Sequence, residues 1–233
     1  MTRFIDLRLE QSNPLPPKMS TINGKKTKVN LCKKKNGKVV ERDLSAITGI
    51  CFHQTACVFG APNKKDPESR YRRALDIPCH GVGFLDGVAV LPCPFSWFVY
   101  HGNGFNEDCL GLEFEGHFPG LLDDPTTPRR EDLKSIWGKK TPTPLSDLAV
   151  QCYRDLTKRV VEEAREMGCP VKYAYAHRQS NGDKLSDPGE GIWKRVVLEY
   201  AVPVLGLETR PHETRRDGKE IPKQWDPAGR VRY

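Results

Sequence analysis

The sequence predicts an α/β fold in which helices flank a central mixed β-sheet, and three observations support this. Short apolar segments separated by glycine and polar residues follow one another between residues 47 and 116, as strands do. An amphipathic stretch with helical spacing follows Ser146. An alternating strand and a second helical stretch complete the pattern. With 233 residues, the chain is long enough for one sizeable domain.

The apolar segments predict several strands before residue 117. Residues 47–52 form an apolar run that ends at His53, and Asp86-Gly87 between two apolar runs indicates a hairpin. FSWFVYHG and CLGLEFEG predict two further strands. In CLGLEFEG, alternation predicts that the leucine and phenylalanine side chains lie on one face, with Glu113 and Glu115 on the other.

Two helices are predicted in the second half of the chain. Ser146 is a suitable N-cap, apolar residues recur at helical spacing from Leu148 to Met167, and Gly168 indicates the end. VKYAYAH then predicts a strand that ends at His177. GIWKRVVLEYAVPVL predicts a closing helix that is interrupted near Pro203.

We expect three parts along the chain. Residues 1–45 form a basic N-terminal arm or hairpin, in which Asn36-Gly37 is a turn signal. Residues 46–206 form the folded domain, with a loop insertion over residues 117–144 that is rich in proline and charge. Residues 207–233 form a charged tail without apolar periodicity.

The charge of the chain restricts its partners. The net charge of +7 favours polyanions such as nucleic acid, anionic lipid or anionic wall polymers. No apolar run is long enough to span a membrane, so we expect no membrane insertion. Binding to nucleic acid is not favoured, because no aromatic residues interleave with the lysines.

The N-terminus and the cysteines indicate the compartment. The first residues lack the apolar core of a secretory signal, so we expect synthesis in the cytoplasm and export by another route. The 8 cysteines include no CxxC pair, which predicts buried thiols and neither a disulfide framework nor a zinc ribbon.

Two histidines at strand ends and an aspartate in a returning loop suggest a metal site. His53 and His177 each follow a predicted strand, and Asp187 lies beyond a polar loop closed by Pro-Gly. Two imidazoles and one carboxylate suit a zinc ion that keeps a fourth position open. Such an ion activates water and polarises a carbonyl, which allows amide hydrolysis at neutral pH. Glu113 is the candidate base that moves the proton to the leaving amine.

Five segments together resemble one known family. They are ICFHQTA, CHGVGFLDGVAVLP, VYHGNGFN, CLGLEFEG and AHRQSNGDKLSDPGEGIW, in this order along the chain. They are similar to motifs of the type 2 zinc-dependent N-acetylmuramoyl-L-alanine amidases, which share a fold with peptidoglycan recognition proteins and some phage lysozymes. The similar segments cover roughly residues 47–193, and the last two are the most specific.

This resemblance implies a fold, a reaction and a set of residues. His53, His177 and Asp187 correspond to the zinc ligands and Glu113 to the catalytic carboxylate. The implied substrate is peptidoglycan or a soluble muropeptide, which is cut at the amide between N-acetylmuramic acid and L-alanine. We expect the protein to be a monomer.

The resemblance also suggests residues around the metal site. His101 and Asn106 correspond to residues near the substrate groove, and Trp137 in the long loop is a candidate substrate contact. The family often carries a lysine at the position of Leu185. Here Lys184, one residue earlier, is the candidate to stabilise the oxyanion.

Other functions stay open at this point. The same fold also occurs in modules that bind peptidoglycan without cutting it, and a nucleic-acid-binding protein has only the net charge in its favour. Within the amidase hypothesis, the basic termini favour an endolysin-like, bacteriolytic role on the cell wall after release or delivery. A cytoplasmic amidase that recycles muropeptides is the alternative.

Overall fold

The computed structural model describes residues 1–8, 17–22, 25–121 and 142–229. Trp137 and most of the predicted insertion over residues 117–144 lie outside these ranges. The strands within them are β1 (Arg3–Asp6), β2 (Lys18–Ile22), β3 (Lys25–Val29), β4 (Lys34–Lys35), β5 (Lys38–Val39), β6 (Gly49–Gln54), β7 (Gly81–Gly83), β8 (Val88–Leu91), β9 (Cys109–Phe114), β10 (Tyr173–Ala176) and β11 (Glu208–Thr209).

Seven of the described strands form one mixed sheet, in the order β1-β8-β7-β9-β6-β10-β11. Only the β7–β8 pair of this sheet is antiparallel, and it is the hairpin that Asp86-Gly87 predicts. Gly87 has a φ of 89°, which a glycine adopts without strain. The prediction of an α/β fold with a mixed sheet is confirmed.

Two helices cover one face of the sheet. Helix α1 is Asp147–Glu166, and the Ser146 side chain accepts a hydrogen bond from the Ala149 amide at 3.2 Å, as the N-cap prediction requires. Helix α2 consists of three consecutive segments, Glu190–Ile192, Trp193–Ala201 and Val202–Leu205, and the middle one is π-helical. Both helices pack in the main core with the apolar side chains of β6 and β9.

Helix α2 corrects the predicted interruption near Pro203. The helix continues through Pro203 and ends at Leu205, and Gly206 follows in the left-handed conformation with a φ of 67°. A proline ring clashes with the carbonyl four residues earlier in a regular α-helix. The residues before Pro203 are π-helical, with hydrogen bonds that span five residues, as from the Val202 amide to the Val197 carbonyl.

The segment FSWFVYHG does not form a strand of the sheet. Val99 and Trp97 make isolated antiparallel bridges to Cys32 and Glu41. Four backbone hydrogen bonds join this segment to residues 31–42, outside the seven-stranded sheet.

The predicted arm and tail both contribute to the folded domain. In the arm, β1 is an edge strand of the sheet, and Leu31 and Cys32 are buried against Val99. In the tail, β11 adds the last strand. Trp225 is fully buried and donates its indole N–H to the Gly120 carbonyl at 2.8 Å. Both charged segments therefore supply a strand of the sheet and buried side chains.

The turn between β4 and β5 and the burial of the cysteines agree with the sequence. Asn36 and Gly37 have φ angles of 52° and 78° and connect β4 to β5, as a type I′ hairpin turn requires. All eight cysteines are free thiols, and all except Cys57 are buried. Among the described residues, no helix has both the length and the apolar character needed to cross a bilayer.

Candidate metal centre and catalytic carboxylate

The candidate site lies where three neighbouring parallel strands end. Strands β9, β6 and β10 are adjacent, and all three run in the same direction. His53 and Glu113 are direct partners across β6 and β9, and His177 follows β10 immediately. The carboxyl ends of parallel strands share one edge of the sheet, which is a common position for ligand sites.

Side-chain alternation separates this site from the main core. Phe52 and Leu112 pack in the core with the two helices, whereas Cys51 and Cys109 belong to a smaller cluster with Phe105 and Tyr175. His53 and Glu113 have the same parity as Cys51 and Cys109. They therefore project from the face of the sheet opposite the helices.

The structure brings the three predicted metal ligands together. One donor atom each of His53, His177 and Asp187 lies within 4.8 Å of the other two, and all three residues are buried. The rings of His53 and His177 have centroids 4.4 Å apart. Asp187 Oδ2 lies 3.0 Å from His177 Nδ1. Such a set of two imidazoles and one carboxylate fits zinc.

Unused hydrogen-bonding capacity at His53 supports this fit. His53 Nδ1 is buried and has no hydrogen-bond partner among the residues that the structure describes, whereas its Nε2 lies 3.2 Å from His101 Nδ1. Burial, followed by the charge of His177, lowers the pKa of His53 well below its ordinary value. A neutral imidazole with a free nitrogen is the form that binds a metal.

Gln54 holds the loop that carries Asp187. The backbone N–H of Gln54 donates a hydrogen bond to Asp187 Oδ1 at 2.9 Å. The Gln54 side chain donates to the carbonyls of Ser186 at 2.6 Å and Phe118 at 2.7 Å. No sequence pattern indicates this role, because the three segments are distant along the chain.

A second group of potential ligands shares His53. Cys51, His53 and His101 also have donor atoms within 4.8 Å of one another. Burial raises the pKa of the Cys51 thiol well above its ordinary value, so the thiolate that binds metals is disfavoured. His101 is engaged with both His53 and a backbone carbonyl. The set with His177 and Asp187 is therefore the better metal site.

Glu113 has the properties of a proton acceptor. Its Oε2 is buried, and no described residue forms a hydrogen bond with it. Burial, followed by the negative charge of Asp187, raises the pKa of Glu113 to about 8. The positive charges of Lys184 and Lys18 act in the opposite direction. A carboxyl group poised near neutral pH is suited to general acid–base catalysis.

The neighbouring Glu115 is structural. Its carboxylate is fully buried and accepts hydrogen bonds from the amides of Phe59 at 2.6 Å and Leu85 at 2.9 Å. It also forms an ion pair with Arg70 at 2.6 Å. Because these partners occupy Glu115, Glu113 is the carboxylate of the pair that is free to act on a substrate.

Lys184 lies near the candidate centre. Its charge lowers the pKa values of both Glu113 and His53, although it is not the largest cause for either. Its side chain is half-buried in the loop that leads to Asp187. This position is compatible with the predicted contact to an oxyanion, which stays a prediction.

His101 and Asn106 are buried beside the candidate centre and have hydrogen-bond partners within the protein, and their predicted location near the substrate groove stays a prediction. His101 is 5% exposed and lies behind His53, and its Nε2 lies 3.0 Å from the Cys109 carbonyl. Asn106 is 7% exposed, and its side-chain oxygen accepts the Gly102 amide at 2.7 Å. These polar atoms form hydrogen bonds with the protein backbone, because the loop between the two residues folds against the sheet.

Residues outside the predicted domain complete the support of the site. Arg42 is half-buried and donates to the carbonyls of Phe95, Asn106 and Cys109 at 2.7–3.0 Å. In the tail, the Lys219 amide donates to the Arg178 carbonyl at 2.7 Å. Arg178 in turn donates its backbone N–H to the Asp187 carbonyl at 3.1 Å. The tail thus helps to fix the loop between the ligands.

Comparisons with known proteins give low-identity likenesses to solved structures. No protein-family model matches the chain, and no curated protein does. The amidase LysC from Clostridium intestinale URNW, an N-acetylmuramoyl-L-alanine amidase, is 14% identical with a TM-score of 0.43, covering 75% of this chain and 96% of that one. Bumblebee PGRP-SA is 12% identical with a TM-score of 0.47, covering 91% and 99%.

A third solved structure belongs to the same group. Peptidoglycan recognition protein-LE in complex with tracheal cytotoxin is 18% identical with a TM-score of 0.43, covering 68% of this chain and 83% of that one. These structures belong to the classes that the sequence motifs resemble. At these identities and scores, the function of this chain has to be argued from its own residues.

The raised pKa of Glu113 predicts a pH-dependent stability of the metal-free protein. Between 4.5 and about 8, the folded state holds a proton that the unfolded chain has released. The free energy of unfolding therefore decreases as pH rises through this window and levels off above it. Chemical denaturation of chelator-treated wild type and Glu113→Gln measures this. The stability of wild type relative to the variant should fall with pH, and a constant difference would contradict the burial of this carboxyl.

Proposed function

We propose that the chain is a zinc-dependent amidase that hydrolyses the bond between N-acetylmuramic acid and L-alanine in peptidoglycan. The observation that carries the proposal is the juxtaposition of the His53, His177 and Asp187 donors with the unpartnered carboxyl of Glu113. The donor set suits a hydrolytic zinc ion with an open position. The substrate class comes from the resemblance of the sequence motifs.

Each residue of the candidate site has a separate role in the proposed hydrolysis. His53, His177 and Asp187 hold the metal, which supplies a Lewis acid that activates water and polarises the scissile carbonyl. Glu113 takes a proton from the attacking water and donates it to the leaving amine. Lys184 places a positive charge near the developing oxyanion. Gln54 keeps Asp187 in position through the hydrogen bonds to its loop.

A module that binds peptidoglycan without cutting it is the second candidate. The same fold serves both functions, and the choice depends on the groups at the site. Binding alone requires neither a metal-ligand set nor a buried carboxyl with a raised pKa. The presence of both favours catalysis.

The biological role within this proposal is an endolysin-like attack on the cell wall. The net charge of +7 favours attraction to anionic wall polymers. A recycling amidase would act on small soluble muropeptides instead. Digestion of intact sacculi beside a soluble muropeptide, with the products identified by mass, separates these roles. Cleavage of the soluble substrate alone would contradict the lytic role.

One zinc ion per chain should bind at the three ligands. Metal analysis of purified protein should give a stoichiometry near one, and Asp187→Ala or His177→Ala should abolish it. Replacing the surface residue His212 with alanine is the matched control, because His212 lies outside the site and contacts Glu220. Protein that contains no zinc, and gains no activity when zinc is added, would refute the metal site.

Glu113→Gln should retain zinc but lose about 10²–10⁴-fold in turnover, since the amide keeps the shape of the side chain and removes the base. Glu115→Gln is the control. It should retain turnover and lose stability, because Arg70 and two backbone amides lose a charged acceptor. Kinetics on a soluble muropeptide and denaturation of both variants measure this. The opposite ranking in turnover would show that Glu115 is the catalytic carboxylate.

The lysines of the β4–β5 hairpin should affect attraction to the wall and not the chemical step. Exposed charges act through a field that is screened over ~8 Å at physiological ionic strength. Neutralising Lys33, Lys34 and Lys35 should slow lysis of sacculi at low salt and leave cleavage of a soluble muropeptide nearly unchanged. The difference should disappear as salt rises.

Lys18→Gln provides the contrast within the same N-terminal region. Lys18 is exposed on β2, and its charge lowers the pKa of Glu113. This variant should change cleavage of both substrates. If the triple lysine variant instead loses equally on both substrates at every salt concentration, the β4–β5 hairpin acts at the active site or in the fold.

A further inference from the structure

Two histidine rings and one backbone carbonyl form a hydrogen-bonded chain behind the candidate site. His101 Nε2 lies 3.0 Å from the Cys109 carbonyl oxygen, and His101 Nδ1 lies 3.2 Å from His53 Nε2. A carbonyl oxygen only accepts hydrogen bonds, so His101 Nε2 carries the hydrogen of that contact. The Cys109 carbonyl therefore sets the direction of the hydrogen bonds in this series, because it can only accept.

The protonation of each ring follows from this direction. A neutral imidazole has one donor and one acceptor nitrogen, so His101 Nδ1 is an acceptor. His53 Nε2 must then donate to it, which leaves His53 Nδ1 with a free lone pair. Both rings are buried, at 0% exposure for His53 and 5% for His101, and burial favours the neutral form.

The position of the His101 ring is fixed by its contact with β9. A Cβ atom at Gly111 would lie 2.5 Å from His101 Cγ, so the ring packs directly on the backbone there. The loop that carries His101 is held as well. The Gly102 amide donates to the Asn106 side chain at 2.7 Å, and Ser180 Oγ donates to the Gly102 carbonyl at 2.6 Å.

We propose that His101 is a positioning residue that holds His53 in the Nε2–H tautomer and directs its Nδ1 lone pair toward the Asp187 and His177 donors. This inference rests on the proposed zinc site, and it adds a residue that acts through a ligand and not on the substrate. The buried Nδ1 without a partner is the expected consequence. It lowers the stability of the metal-free fold and is satisfied when a metal binds.

Three substitutions separate the roles of the two His101 nitrogens. Asn places an acceptor where Nδ1 stands, so His101→Asn should keep the contact with His53. Gln reaches to the position of Nε2, so His101→Gln should keep only the contact with the Cys109 carbonyl. His101→Phe keeps the ring volume and removes both contacts. Gly111→Ala is a fourth variant, which displaces the ring without changing its chemistry.

The first measurement is ¹⁵N NMR of labelled histidines in the metal-free protein. In wild type and His101→Asn, His53 should carry its proton on Nε2, with Nδ1 unprotonated. In His101→Phe and Gly111→Ala, the other tautomer of His53 should become populated. A merely structural role of His101 would not move this signal. A His53 that carries its proton on Nδ1 in wild type would overturn the proposal.

The second measurement is zinc affinity by competition with a chromophoric chelator. Loss of such an outer hydrogen bond typically weakens metal binding ~10–100-fold. His101→Phe and His101→Gln should show this loss, and His101→Asn should stay near wild type. Equal affinities in wild type, His101→Gln and His101→Phe, with an unchanged His53 tautomer, would overturn the proposal.

The two measurements keep this inference separate from the proposed function. If wild type binds no zinc but His53 has the stated tautomer, the positioning by His101 is supported and the proposed amidase function fails. Melting curves of the metal-free variants test for folding. Should His101→Phe not fold, the wild-type spectrum and the Asn and Gln variants decide the question.

Discussion

The parallel pairing of β6 with β9 is the interaction on which the candidate site depends. Its register makes His53 and Glu113 direct neighbours. Because side chains alternate along a strand, a slip of one residue would turn one of them toward the helices and bring an apolar residue to the site. Phe52, Leu112 and Phe114 lie in the core under α1 and α2 and hold the register. The apolar core therefore specifies the position of the polar site.

Burial of the polar groups at the site lowers the stability of the fold, and hydrogen bonds offset only part of this loss. Asp187 accepts a hydrogen bond from the backbone amide of Gln54. The two ring nitrogens of His101 have hydrogen-bond partners in His53 and the Cys109 carbonyl. His53 Nδ1 and Glu113 Oε2 remain buried without partners. Each such atom typically costs ~1–3 kcal/mol of stability. Both atoms belong to residues that the proposed reaction uses.

The sequence predicts the parts of this site that depend on local pattern. His53, His177 and Glu113 lie on or directly after apolar strands, so their common edge follows from an α/β sheet. The hydrogen bonds from the Gln54 side chain to the Phe118 and Ser186 carbonyls could not be predicted, because they join residues separated by 64 and 132 positions. The same holds for the inward position of His101 and the packing of the tail. Composition describes exposure on average and does not identify which charged segments return to the fold.

The charges at the site bear on the catalytic role proposed for Glu113. Burial and, after it, the negative charge of Asp187 disfavour the ionised form of Glu113 and raise its pKa. Lys184 and Lys18 reduce it only in part. A divalent cation beside Asp187 would offset this repulsion and allow Glu113 to ionise at neutral pH. In the proposed amidase, metal binding and the ionisation of Glu113 are therefore coupled.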